Sequence, residues 1–144
     1  MADQIDPAIM ADIDIMAKAE FDFWKDNATP EQRAAGVAEM ERWTNDPEFA
    51  AAEGEKMQKF FTESDVNNDG RLDLAEYRVF ISKLQADGAS RGQFVDNPPG
   101  SDEQGYNIMN RLDPANDGIT MAEFGMIMEI SVAKSQELKA AAGL

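Results

Sequence analysis

The chain has 144 residues, a formal net charge of −15 and an isoelectric point near 4.2, with neither cysteine nor histidine. That acidity repels phosphate backbones and no Lys/Arg cluster offsets it, which argues against nucleic-acid binding; without thiol or imidazole there is no disulfide framework, no such nucleophile and no conventional zinc site. No apolar run is long enough to span a bilayer, and the Met1-Ala2-Asp3 start carries no signal peptide or myristoylation glycine, so the expectation is a soluble cytoplasmic protein without membrane insertion.

Taken in chain order, the sequence predicts an all-α protein. Asp6-Pro7 pairs an N-cap with a proline at the first helical position and opens a helix to about Lys25. Its apolar stripe runs Ile9, Ile13, Met16/Ala17, Phe21, Trp24. Thr29-Pro30-Glu31-Gln32 repeats the start signal with a capping-box Gln, and the second helix carries Val37, Met40 and Trp43. Residues 1–46 are thus expected to form a helical hairpin, in a stretch where residues 1–50 hold 12 acids against 4 bases. Trp24, Trp43, Phe21 and Met40 need burial, so the hairpin is expected to pack over the apolar face of the remainder. The alternative is a surface presented to a partner.

Asp46-Pro47 opens a third helix with Met57, Phe60 and Phe61 at helical spacing, and Tyr77, Phe80, Ile81 and Leu84 mark a fourth. Residues 87–101, with Gly88, Gly92, Pro98, Pro99 and Gly100, are expected to form a loop. Ser101 or Asp102 is expected to cap a fifth helix carrying Ile108, Met109 and Leu112. A last helix, with Phe124, Ile127 and Met128, leads from Met121 towards Lys139.

Between the third and fourth helices lies Asp65-Val66-Asn67-Asn68-Asp69-Gly70-Arg71-Leu72-Asp73-Leu74-Ala75-Glu76. A calcium ion takes about six to eight oxygens at flexible distances, and a loop of this length can wrap it to supply them. Asp65, Asn67 and Asp69 place side-chain oxygens at the first, third and fifth positions. Gly70 follows where the chain must turn sharply. Arg71 offers its backbone carbonyl, Asp73 acts directly or through water, and Glu76 closes the shell with both oxygens. A solvated Asp/Asn/Gly turn would not also carry the closing Glu.

The loop with its flanking helices resembles the EF-hand calcium-binding superfamily, over roughly residues 47–135 once a second copy is included. That copy is the stretch from Asp113 to Glu123, one residue short of the first loop. Read from the front, Asp113, Asp117 and Gly118 take the first, fifth and sixth positions. Read from the back, Ile119, Thr120 and Glu123 take the eighth, ninth and twelfth. The two readings reconcile if the seventh position is deleted, and Ala115 then stands where an oxygen ligand belongs. Asp113, Asp117, Thr120 and Glu123 are therefore the candidate ligands of a weak or silent second site, or of a loop kept only to pair with the first. The resemblance implies an EF-hand pair over residues 47–144, with Leu72 and Ile119 joined in a short two-strand bridge. It also raises the alternative that residues 1–46 are a hand that has lost its loop.

The expected function is calcium binding, as a buffer or signal modulator with its principal site at Asp65, Asn67, Asp69, Arg71, Asp73 and Glu76. One alternative is a sensor whose Met-rich groove, near Met109, Met121, Met126 and Met128, binds a helix of a target protein. Another is a structural subunit with constitutively bound calcium. Enzymatic activity is not expected, because the carboxylates with organised spacing are accounted for by metal ligation.

Overall fold

In the computed structural model, which describes residues 5–112 and 118–143, the chain forms six helices. They are α1 (Pro7–Asn27), α2 (Pro30–Asn45), α3 (Pro47–Ser64), α4 (Leu74–Ser90), α5 (Ser101–Asn110) and α6 (Met121–Ala141). Among the described residues there is no strand, and Leu72 and Ile119 form an isolated antiparallel bridge.

The first three helices start the same way. A polar cap accepts a hydrogen bond from the first turn, and a proline whose missing N–H costs nothing there follows it. Asp6 Oδ1 accepts from Ala8 N at 2.8 Å, and Asp46 Oδ1 from Phe49 N at 3.1 Å. Thr29 Oγ1 accepts from Gln32 N at 3.1 Å while Gln32 Oε1 accepts from Thr29 N at 2.9 Å. The fifth helix departs from expectation. Neither Ser101 nor Asp102 caps it; Gly100 does, in a left-handed conformation with φ of 80° and no side-chain bond. Asp102 lies inside the helix, and its carboxylate accepts from Arg78 Nε at 2.8 Å, tying α5 to α4.

The loop expected over residues 87–101 begins later, because α4 continues through Gly88 to Ser90. Gly88 is buried, and a Cβ there would stand 2.9 Å from Val95 Cγ1. Its helical cost, about 1 kcal/mol relative to alanine, is offset by the close approach of the returning chain. Gly92, with φ of +78°, ends the helix: Gln93 N donates to Gly88 O at 3.0 Å and Gly92 N to Ala89 O at 3.1 Å, the paired bonds of a Schellman stop.

One core unites five of the helices. Ile9, Ile13 and Met16 of α1 join Phe61 of α3, Tyr77 and Phe80 of α4, Ile108 and Met109 of α5, and Phe124 and Ile127 of α6. Phe80 is fully buried, edge-on to Phe61 at 5.7 Å and to Phe124 at 4.8 Å.

The two N-terminal helices meet at their turn, where Arg33 donates to the Lys25 and Ala28 carbonyls at 3.2 Å. Beyond it they take different neighbours: α1 packs on α5 and α6, and α2 on α3. A fully buried large apolar side chain contributes on the order of 1.5–3 kcal/mol. α1 buries Ile9, Ile13, Met16, Ala17 and Phe21, whereas α2 buries none. Trp43, for which burial is expected from size alone, remains 38 % exposed; its ring meets Phe49 edge-on at 5.8 Å, at the margin of the bundle. Polar contacts hold α2 instead. Glu39 pairs with Arg91 at 2.7 Å, Arg91 with Asp87, Asp87 with Lys56 at 3.1 Å, and Lys56 with Glu53 at 3.0 Å.

Glu20, on α1, is pushed up to about 6 by burial, against an ordinary value of 4.5. The folded state therefore holds this proton more tightly than the unfolded chain. Glu20 costs stability above about pH 6, by on the order of 2 kcal/mol, and the cost disappears as pH falls below the unfolded value. Glu20→Gln should raise the melting temperature at neutral pH and leave it unchanged in mild acid; equal effects at both would mean the carboxyl is not desolvated. At Gly54, inside α3, an added Cβ would meet nothing within 4 Å, unlike at Gly88. Urea unfolding should show Gly54→Ala stabilising by about 0.5–1 kcal/mol and Gly88→Ala gaining nothing or destabilising.

Candidate metal centre

The 65–76 loop starts where α3 stops. Asp65 is the C-cap, its N–H bonded to Phe61 O at 3.0 Å, and its side chain turns under the loop with 8 % exposure. Asp65 Oδ1 accepts from Asp69 N at 3.2 Å and Oδ2 from Gly70 N at 2.8 Å. Asp69 Oδ1 in turn accepts from Arg71 N at 3.0 Å. Two residues take left-handed conformations to make the turn, Gly70 at φ +79° and Asn68 at φ +56°. Asn68 is no candidate ligand in the sequence pattern, and its part in the turn is conformational: asparagine is the non-glycine residue best suited to that region.

At the far end, Asp73 caps α4. Asp73 Oδ1 accepts from Glu76 N at 2.8 Å, and Glu76 Oε1 accepts from Asp73 N at 3.0 Å. Glu76 Oε2 reaches back to accept from Val66 N at 2.9 Å. One buried carboxylate therefore spans the loop from its last residue to its second. Each oxygen of Asp65 and Glu76 is met by a backbone N–H, so the loop holds its two inner carboxylates by its own main chain.

The donor set, oxygens throughout, fits a hard divalent cation. The side chains are not gathered, however. Asn67, Asp69 and Asp73 are exposed, and among the described residues no three acidic side chains stand close enough to form a ready cation-binding cluster. Ligation would require these three to turn inward towards Asp65 and Glu76, with the Arg71 carbonyl completing the set.

Of the second group, Asp113 and Asp117 lie outside the described residues, as does Ala115. Thr120 and Glu123 are described and face each other in a capping box at the start of α6. Glu123 Oε1 accepts from Thr120 N at 2.8 Å and from Thr120 Oγ1 at 3.2 Å, and Thr120 Oγ1 accepts from Glu123 N at 3.2 Å. These bonds account for both residues as helix-start chemistry. The arrangement repeats that of Leu72, Asp73 and Glu76 position for position. Asn110 Oδ1 accepts from Gly118 N at 2.9 Å, a contact that the sequence offered no signal to find.

The two segments are joined by Leu72 N to Ile119 O at 2.9 Å and Ile119 N to Leu72 O at 3.0 Å, between residues of zero exposure. Gly118 makes the approach possible: at φ +118°, a Cβ there would stand 3.0 Å from Leu72 O and 3.2 Å from Arg71 Cβ.

No protein-family model, curated protein or solved structure matches the chain.

Gly70 and Gly118 provide a contrast for measurement. Both have positive φ, but nothing lies within 4 Å of a Cβ at Gly70. Gly70→Ala should cost about 1 kcal/mol from conformation alone, and Gly118→Ala about 2–3 kcal/mol because the Leu72 carbonyl must also move. Equal costs in chemical denaturation would remove the bridge as the reason for Gly118.

Proposed function

We propose that the chain is an EF-hand calcium-binding protein whose principal site is the 65–76 loop, acting as a buffer or signal modulator. Asp65, Asn67, Asp69, Asp73 and Glu76 supply side-chain oxygens and Arg71 its carbonyl. The observation that carries this reading is the position of Glu76, whose carboxylate already closes on the Val66 amide at 2.9 Å, across the loop from Asp65. The Leu72–Ile119 bridge supports the pairing of two hands, with the second loop weak or silent. Bound calcium would supply positive charge that relieves the repulsion among Asp65, Asp69, Asp73 and Glu76.

The placement of α1 favours modulator over sensor. Ile9, Ile13 and Met16 are part of the same core as Ile108, Met109, Phe124 and Ile127, so the apolar face of the proposed pair is already covered from within the chain. The sensor reading retains one supporting observation, a partly open cavity lined by Met16, Met40, Met109 and Met128. A cytoplasmic location and the lack of catalytic activity belong to the same proposal; among the described residues no helix is long and apolar enough to cross a membrane.

Calorimetric titration should show one tight calcium site that Glu76→Gln abolishes or severely weakens, since the substitution removes charge and a ligating oxygen together. Calcium at a hundredfold excess over Kd should stabilise the fold by about 2.7 kcal/mol, visible as a higher melting temperature than in chelator. Identical unfolding in chelator and in calcium would overturn the proposal, and two tight equivalent sites would overturn the view of the second loop. An apolar dye that binds only with calcium present would favour the sensor.

A further inference from the structure

Away from the loops, a cavity of about 360 Å³ has Met16, Leu84, Met109, Phe124 and Ile127 among its apolar walls. Small-molecule sites usually measure about 300–1,000 Å³, so this is large enough for an apolar ligand. A second chamber of about 190 Å³ adjoins it, against Phe21, Trp24, Phe94 and Lys139. The two share Glu20, Asn97, Ser131 and Ser135 as a common wall.

Buried polar groups are normally hydrogen-bonded, and at this wall one is not. Ser131 Oγ is out of solvent with no hydrogen-bond partner. Glu20 has no hydrogen bond or ion pair with any described residue, and burial holds its carboxyl well above the ordinary carboxylate range. Lys139, 8 % exposed, has its ammonium 4.7 Å over the Trp24 ring and 3.7 Å from Met40 Sδ, with no carboxylate at ion-pair distance among the described residues. Burial lowers its affinity for the proton.

Charge decides what would complete such a site. The small chamber is lined by the Glu20 carboxyl and the single ammonium of Lys139, with Asp96 exposed to solvent. In the large chamber Asp102 is already matched by Arg78 at 2.8 Å. Lys139 already rests on the Trp24 ring and Met40 Sδ, whereas Glu20 has no partner among the described residues, so the unmatched charge is the Glu20 carboxylate. An anion drawn to Lys139 would have to settle in the same chamber as the Glu20 carboxylate.

We propose that the large chamber, with the wall it shares with the small one, is a binding site for a hydrophobic monoamine, its ammonium received by the Glu20 carboxylate and the Ser131 hydroxyl and its apolar body lodged against Met16, Met109 and Phe124. The site is separate from the 65–76 loop and does not depend on the calcium reading.

The test is calorimetry with octylammonium, octanol, octanoate and methylammonium on the full chain at about pH 7.5, where Glu20 is ionised, in chelator and again in calcium. Octylammonium should bind one-to-one, and octanol and octanoate at least about tenfold more weakly. Glu20→Gln should weaken octylammonium by at least about tenfold while leaving octanol unchanged, a comparison internal to one folded variant. Trp24 fluorescence, read in a Trp43→Phe background, should change with octylammonium only. Octanol binding as tightly as the amine, octanoate binding more tightly, or an unchanged amine affinity in Glu20→Gln would each overturn the proposal. So would methylammonium binding as tightly as octylammonium, because diffuse attraction to an acidic surface would then suffice.

Discussion

Two backbone hydrogen bonds between Leu72 and Ile119 join the segment that links α3 to α4 with the one that links α5 to α6. Everything near the candidate site is arranged around that joint. Both residues are wholly buried, so their amides and carbonyls would be costly to leave unpaired. Immediately after each comes a capping box, Asp73 with Glu76 and Thr120 with Glu123, which launches α4 and α6 from matched positions. Further along those helices Phe80 and Phe124 meet edge-on at 4.8 Å. The bridge thus sets the register of the aromatic core as well as the spacing of the loops.

A chain of net charge −15 must still bring acidic helices together, and several of its 13 basic residues are used for that purpose. Arg111, just past the end of α5, reaches Asp12 of α1 at 2.7 Å, and Lys134 ties α6 to Asp14 of α1 at 3.7 Å. Arg78 links α4 to Asp102 of α5, and Arg91 links the end of α4 to Glu39 of α2. Exposed pairs of this kind contribute roughly 0–1 kcal/mol each. Their effect lies less in total stability than in choosing which helices approach. The Glu39–Arg91–Asp87–Lys56–Glu53 chain is the densest case, and it is where α2, lacking buried apolar side chains, is fastened.

The N-terminal helices therefore do different work. α1 is an integral part of the core, inserting Ile13 at zero exposure, and it also brings Glu20 to the wall of an apolar cavity. α2 lies outside on polar contacts, with Met40 reaching the same cavity and the Lys139 ammonium. On the proposed reading, α1 covers the face that a sensor would present, which leaves the 65–76 loop free to bind an ion without a large opening of the bundle.

Local chemistry was legible in the sequence because its causes lie within a few residues. Asp6-Pro7, Thr29-Pro30 and Asp46-Pro47 start helices where short-range capping dictates, and the spacing of Ile9, Ile13, Met16, Phe61, Phe80 and Phe124 marks faces that are buried. The oxygen-bearing pattern from Asp65 to Glu76 is likewise a property of one contiguous stretch. What the sequence could not decide depends on neighbours distant along the chain. Gly88 reads as a breaker until Val95 packs on it, and Asp102 reads as a cap until Arg78 takes its carboxylate. Trp43 reads as core until α2 is placed at the margin. Glu20 and Lys139 look like ordinary surface charges, and only the packing of α1 against α6, with Phe94 lining the same chamber, takes much of their solvent away. Periodicity tells which face of a helix is apolar; which polar groups lose water is decided by the elements that close over them.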